Sequence, residues 1–330
     1  MLAMVLRDVG APLVPEERPD PEPGPGEVRI RVDACAVCRT DLHVIDGDLP
    51  QAVYPIVPGH EVIGTVEAAG TGVGEPLPGA RVGVPWLGHA CGHCRYCATG
   101  RENLCNDPGF TGCTRDGGFA SHLVAEAAFT VPLDPALDPF ATAPLLCAGL
   151  IGWRTLRMAG EAETVGLYGF GAAAHIVAQV CRWQGRRVFA LTRPGDRKAQ
   201  AFARSLGADW AGDSDGPPEP LDAALVFAPD GSLVPAALRA VRKGGRVVCG
   251  GIHVSDIPAF PYDLLSGERS VRSVANLTRE DARSFFGTVP RAGIVTRTRA
   301  YPLAQVNAAI AAHRRGALHG AAVLVPGGRW

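Results

Sequence analysis

Apolar and polar positions alternate along the first part of the chain and recur at longer spacings after it. Val28-Arg29-Ile30-Arg31-Val32 alternates strictly, the period-2 mark of a strand with one buried face. Val62–Val66 and Arg81–Val84 read as further short strands, set apart by glycine and proline turns. Pro19–Gly26, rich in proline and acid, reads as a surface connection. From about residue 149 the pattern changes. A strand at Thr164–Tyr168 leads to a helical run at His175–Trp183, and further strands are expected at Arg187–Leu191, Leu221–Phe227 and Gly245–Gly250. Strands alternating with helices predict a parallel sheet wound on both faces, an α/β fold. Asp213–Pro220 reads as a surface loop between a helix and a strand. The tail, from about Ala275, is mixed: helices at Arg279–Phe286 and Ala304–Arg314, then a strand at Ala321–Val325. No internal repeat is visible.

Length and charge narrow the class. A chain of 330 residues predicts two domains, each able to bury its own core. Hydrophobic content of 47% with 20% charged residues is that of a globular chain. With 32 basic and 33 acidic residues the net charge is −1, so no field draws the protein to nucleic acid or an anionic membrane. The N-terminus lacks a basic segment followed by an apolar core, and Ala141–Trp153 is too short and interrupted to span a bilayer. A soluble, cytoplasmic enzyme is the expectation.

The strand Thr164–Tyr168 runs into Gly169-Phe170-Gly171-Ala172-Ala173-Ala174. This is the dinucleotide fingerprint in the form G-x-G-x-x-A, between a strand and a helix. Gly169 permits the tight turn, Gly171 admits a pyrophosphate, and Ala174 stands where a third glycine is commoner. An acid about 20 positions later normally bonds the ribose 2′-hydroxyl of NAD. Here that place holds Thr192-Arg193, with Arg197 and Lys198 close behind. A hydroxyl and a guanidinium suit a 2′-phosphate, so NADP(H) is favoured. Arg193 stacked on adenine or simply solvated, with NAD(H) tolerated, is the alternative.

Ten cysteines are present, and six fall in two patterns. Cys38-Arg39-Thr40-Asp41-Leu42-His43, then Gly59-His60-Glu61, brings a thiolate, imidazoles, a hydroxyl and carboxylates into one short stretch. Catalytic zinc takes three protein ligands and keeps a fourth position open. Cys38 and His60 are two candidates, and Cys147 is a third. Alone, Cys38 would read as a small buried hydrophobe. Cys91, Cys94, Cys97 and Cys105 read C-x2-C-x2-C-x7-C, a closed Cys₄ structural zinc site. A disulfide framework and a nucleic-acid-binding zinc module are the alternatives, and His93 could replace one thiolate.

At these residues the chain resembles the zinc-dependent medium-chain alcohol dehydrogenases, from about Ala3 to about Val325. A Cys₂His site is that of alcohol dehydrogenases themselves, so ligand chemistry and resemblance are one argument. The resemblance implies a GroES-like barrel carrying both zincs (1–148 and 275–330) and a Rossmann coenzyme domain (149–274). It implies zinc-stabilised alkoxide chemistry with hydride passing to or from NAD(P). Thr40 would take the proton and pass it through the cofactor ribose to His43. Asp41 would fix the tautomer of His60, Glu61 would lie behind the metal and approach it during ligand exchange, and Arg39 would lie near the pyrophosphate. Read singly, Thr40 could cap a helix, His43 could be a solvated imidazole and Asp41 a turn acid. Trp86 and Leu87 line the substrate pocket or pack the core. The expected activity is alcohol and aldehyde or ketone interconversion by a homodimer or homotetramer. Polyol or sugar dehydrogenase is the alternative, weighed against by the intact Cys₄ set and Cys147; a silent binding protein would need a lost ligand or broken glycine turn.

Overall fold

In the computed structural model, which describes residues 1–252, 254–318 and 320–327, the chain forms two compact units. The first comprises Met1–Cys147, Asn276–Gly287 and Val295–Trp330, and the second Ala148–Ala275 and Thr288–Ile294.

The first unit is built on a seven-stranded sheet. Its order is Thr298–Pro302, Ala321–Val325, Glu27–Val37, Glu61–Ala69, Arg81–Val84 and Val131–Pro132, with His122–Glu126 also paired to Glu27–Val37. The strand foreseen at Val28–Val32 therefore extends to Val37 and delivers the chain directly to Cys38. The next strand begins at Glu61, immediately after His60. Pairing of Ala36 with Glu61 puts the two motif segments side by side. Between them lies the helix Arg39–Asp46, whose Leu42, Val44 and Ile45 are buried in the core with Met4, Leu6, Ile56 and Val57.

The second unit carries a six-stranded sheet in the order Trp210–Asp213, Arg187–Thr192, Thr164–Tyr168, Leu221–Val226, Val241–Cys249 and Ser270–Ser273. Every pairing is parallel. In chain order this is 3-2-1-4-5-6, the doubly wound dinucleotide-binding arrangement. It is the α/β sheet the sequence pattern predicts.

Several boundaries differ from expectation. The helix after the glycine turn starts at Ala172, not His175. The loop placed between a helix and a strand instead follows a strand, Trp210–Asp213. Leu233–Ala240 is helical, and the strand expected from Gly245 begins at Val241. The helix from Arg279 runs to Ala292 through Pro290. That expected from Ala304 is a 3₁₀ turn, Leu303–Gln305, followed by Val306–Arg314. No helix among the described residues is long and apolar enough to cross a membrane.

Candidate metal centres and dinucleotide site

Cys38, the adjacent pair His60 and Glu61, and Cys147 come from three separate stretches of sequence and offer four ligand atoms within 4.8 Å of one another. Cys38 is the N-cap of the helix Arg39–Asp46, with its Sγ accepting from Thr40 N at 3.2 Å. Thr40 is consequently inside the first turn and is not the cap. The Cys38 Sγ lies 3.1 Å from His60 Nε2 and 3.8 Å from Cys147 Sγ. A tetrahedral ion with metal–sulfur bonds of 2.3 Å separates two sulfurs by about 3.8 Å, so the spacing fits a metal and is far too long for a disulfide.

Asp41 links the two motifs. Its Oδ1 accepts from His60 Nδ1 at 3.0 Å and its Oδ2 from Cys38 N at 2.8 Å. The first bond keeps the proton on Nδ1 and turns the Nε2 lone pair toward the cluster. His60 and Asp41 are fully buried. Burial raises the Asp41 carboxyl, and it holds the Glu61 carboxyl well above the carboxylate range, reinforced there by the Cys38 charge. The bond to Cys38 followed by burial pushes the Cys147 thiol well up. Burial opposes the Cys38 thiolate, yet the Cys147 thiol and the His60 ring pull it well below a free thiol. Several acids thus crowd one buried place, which a divalent cation would relieve while displacing their protons.

Two features behind His60 carry no motif. Trp86 meets its ring edge-on at 5.0 Å between centroids and stacks on Phe110. The segment 112–119 braces the backbone of Pro58 and Gly59: Gly118 N donates to Gly59 O and Phe119 N to Pro58 O, both at 2.9 Å. Asp116 Oδ1 accepts from Val57 N at 2.8 Å. A Cβ on Gly117 would lie 2.1 Å from Gly59 O, so only glycine fits this brace. Leu87 is fully buried and packs in the core.

His43 does not join the cluster of ligand atoms. It lies on the same helix as Thr40, its Nδ1 donating to Asp48 Oδ2 at 2.8 Å. Asp48 was not singled out from the sequence, although it lies only five residues away. Arg39 is exposed at the start of that helix.

Cys91, Cys94, Cys97 and Cys105 form a second cluster within 4.8 Å. Their sulfurs stand 4.0 Å (Cys91–Cys97), 3.6 Å (Cys94–Cys97) and 4.0 Å (Cys94–Cys105) apart, again the spacing of a tetrahedral ion. All ten cysteines are unbridged. His93 is exposed and its Nδ1 bonds the Cys91 carbonyl instead of joining the set.

In the second unit, Gly169 has φ +86°, and a Cβ there would come within 3.0 Å of Ala228 N. Gly171 faces open space and is the N-cap of the helix Ala172–Trp183, which has no side-chain cap. The first N–H groups of that helix suit an anion. Ala174 is buried in its first turn. Thr192 stands at the end of its strand, but only 3% exposed. Its hydroxyl lies 3.2 Å from the Gly212 and Arg193 carbonyls and accepts from Gln200 Nε2. The Gly212 carbonyl and the Gln200 amide come from the neighbouring parallel strand and the following helix, so these elements already surround the hydroxyl. Arg193, Arg197 and Lys198 are exposed.

The alcohol dehydrogenase GroES-like domain family matches residues 24–135. A relative named "Probable alcohol dehydrogenase AdhA", from Mycobacterium tuberculosis, is 45% identical over 314 residues, 92% of this chain and 90% of its own. An alcohol dehydrogenase of Geobacillus stearothermophilus is 33% identical, with 98% of this chain and 99% of the relative covered. Among solved structures, a cobalt- and zinc-bound thermostable alcohol dehydrogenase from Pyrobaculum aerophilum superposes with a TM-score of 0.87 at 28% identity, covering 99% of each chain. By sequence along nearly its whole length, and by fold, the chain belongs to the zinc-dependent medium-chain alcohol dehydrogenase family of alcohol and aldehyde oxidoreductases.

Proposed function

We propose that the protein interconverts small primary or secondary alcohols with aldehydes or ketones, using zinc and a nicotinamide cofactor, as a homodimer or homotetramer. The observation that carries this reading is the convergence of Cys38, His60, Glu61 and Cys147 on one point. Two sulfurs and an imidazole nitrogen are the donor set of a catalytic zinc, which Cys38, His60 and Cys147 would hold, with the Glu61 carboxylate as an exchangeable ligand. Zinc held there supplies a Lewis acid to the substrate oxygen. The cofactor supplies the hydride acceptor or donor, and the glycine turn with the uncapped helix start suits its pyrophosphate. The Cys₄ set has no position left for substrate, and we assign it a second, structural zinc.

The proton is handled by the chain itself. Thr40 and His43 are spaced i, i+3 and therefore share one face of the helix Arg39–Asp46. In alcohol oxidation the Thr40 hydroxyl takes the substrate's proton and His43 delivers it to solvent. The Asp48 bond keeps the neutral ring's proton on Nδ1, so Nε2 is the basic nitrogen. In cofactor choice, exposed Arg193 and Lys198, with no carboxylate at Thr192, favour NADP(H). The similar alcohol dehydrogenase structure from Pyrobaculum aerophilum, bound to cobalt and zinc, supports the metal assignment.

The test is a panel of alcohols, aldehydes and polyols read by reduced nicotinamide with each cofactor, repeated in Thr40→Val. Turnover of simple alcohols, preference for NADP⁺, and loss of most turnover in the variant with cofactor affinity retained are expected. Turnover confined to polyols, or a near-normal rate in Thr40→Val, would overturn the substrate class or the proton route respectively.

A further inference from the structure

Gln200, on the helix Arg197–Ser205, is 1% exposed and contacts neither candidate metal centre. Its Nε2 donates to Thr192 Oγ1 at 3.1 Å and to Asp213 Oδ1 at 2.8 Å. Thr192 and Asp213 are the paired last residues of two parallel strands. The same Asp213 oxygen accepts from Gly195 N at 3.0 Å. One buried amide thereby staples a helix and two strand ends, and through Asp213 it holds the turn that begins with exposed Arg193.

The amide's orientation is fixed, because a carboxylate acceptor requires the NH₂ side to face Asp213. Its Oε1 is then left buried without a partner among the described residues. Packing alone would be served better by an apolar side chain of the same length, since a buried acceptor without a donor is destabilising. The donor side explains why the amide is there.

We infer that Gln200, acting through Asp213 and Gly195, is a positioning residue for cofactor choice: it sets the turn that carries Arg193. The inference rests on the reading of Arg193 as the partner of a 2′-phosphate. Freed from the staple, the turn would hold its guanidinium less often where the phosphate sits, so NADP(H) would lose affinity and NAD(H) would not. A residue with only a structural role would weaken both alike.

The experiment measures dissociation constants of NADPH and NADH by nicotinamide fluorescence on the full-length, metal-loaded protein. Gln200→Met keeps length and removes the bonds, while Thr192 retains its carbonyl acceptors and Asp213 its bond to Gly195. The wild-type preference for NADPH is expected to fall about five- to tenfold in Gln200→Met, and further in Arg193→Ala. The double variant should fall no further than Arg193→Ala, because the staple acts only through that side chain. Asp213→Ala should reproduce the Gln200→Met loss, and Asp213→Asn, which keeps the Oδ1 acceptor, should not. A preference that Arg193→Ala lowers but Gln200→Met leaves alone, or losses that add in the double variant, would overturn the positioning role. A wild-type protein that binds NADH as tightly as NADPH would overturn the 2′-phosphate reading first.

Discussion

Each oxygen of Asp41 has a separate partner. One holds the Nδ1 proton of His60 and the other holds the backbone of Cys38, the helix cap. Both candidate ligands are therefore oriented by one buried carboxylate. Removing such a support typically lowers metal affinity on the order of 10- to 100-fold. Asp41→Ala should show a loss of that size for the cluster containing Cys38 in chelator competition, with the Cys₄ set unaffected; unchanged affinity would show that neither ligand needs it. At this scale the sequence was most legible where chemistry demands a rare residue at a fixed spacing. Cys38, His60 and the four cysteines of the Cys₄ set are such residues. Asp48 and Asp116 are acids of ordinary type in loops, and their partners become visible only when the chain folds back. The partners of the Thr192 hydroxyl, the Gly212 carbonyl and Gln200, were hidden for the same reason, since both come from other elements.

Among elements, those with an evident apolar pattern were readable, the four-residue strand Arg81–Val84 included, and those without one were not. Thr164–Tyr168 has five buried residues in a row, a clear apolar run. Trp210–Asp213 and Ser270–Ser273 lack the alternating valines that mark Arg81–Val84. The strand ends in the second unit are also tied by polar side chains. Asp222 Oδ2 accepts from Glu163 N and Thr164 N, each at 2.8 Å, while its Oδ1 accepts from Arg242. One carboxylate thus joins the starts of three neighbouring strands. Burial works against its charge, but the Arg242 guanidinium and the two backbone N–H groups hold it below the usual carboxylate range. Because the folded value is the lower one, the stabilisation is complete above the unfolded value of about 4 and fades as pH falls through the folded one. Asp222→Asn should cost about 1–2 kcal/mol at pH 7, at the low end for charged hydrogen bonds because the site is partly exposed. Urea denaturation from pH 7 to pH 3 should show the gap closing toward the acid end. A gap that stays constant with pH would rule out the charge as its source.

For the molecule as a whole, the two metal clusters predict opposite trade-offs. A closed Cys₄ set binds with energy that is largely folding energy. Cys94→Ser should therefore lower the thermal midpoint, by about 2–4 °C for each kcal/mol lost, and reduce the zinc content from two to one per chain. Cys38→Ser should also leave one zinc but abolish turnover with a much smaller change in midpoint. Active wild-type protein with a single zinc by elemental analysis would overturn the assignment of a second, structural zinc, and active protein with none would overturn both.

The eight candidate metal donors all lie before Ala148, and the glycine turn, Arg193 and Gln200 all lie after it. The junction between Cys147 and Ala148 thus parts the residues we propose for acid–base chemistry from those we propose for the choice of electron carrier. Selection can therefore act on the two separately: exchange of the segment Ala148–Ala275 would change the carrier while every candidate ligand, and the strand Ala321–Val325 that pairs beside Glu27–Val37, stayed in its original frame. A lineage built this way can move between catabolic and biosynthetic redox pools without reinventing how it activates an alcohol.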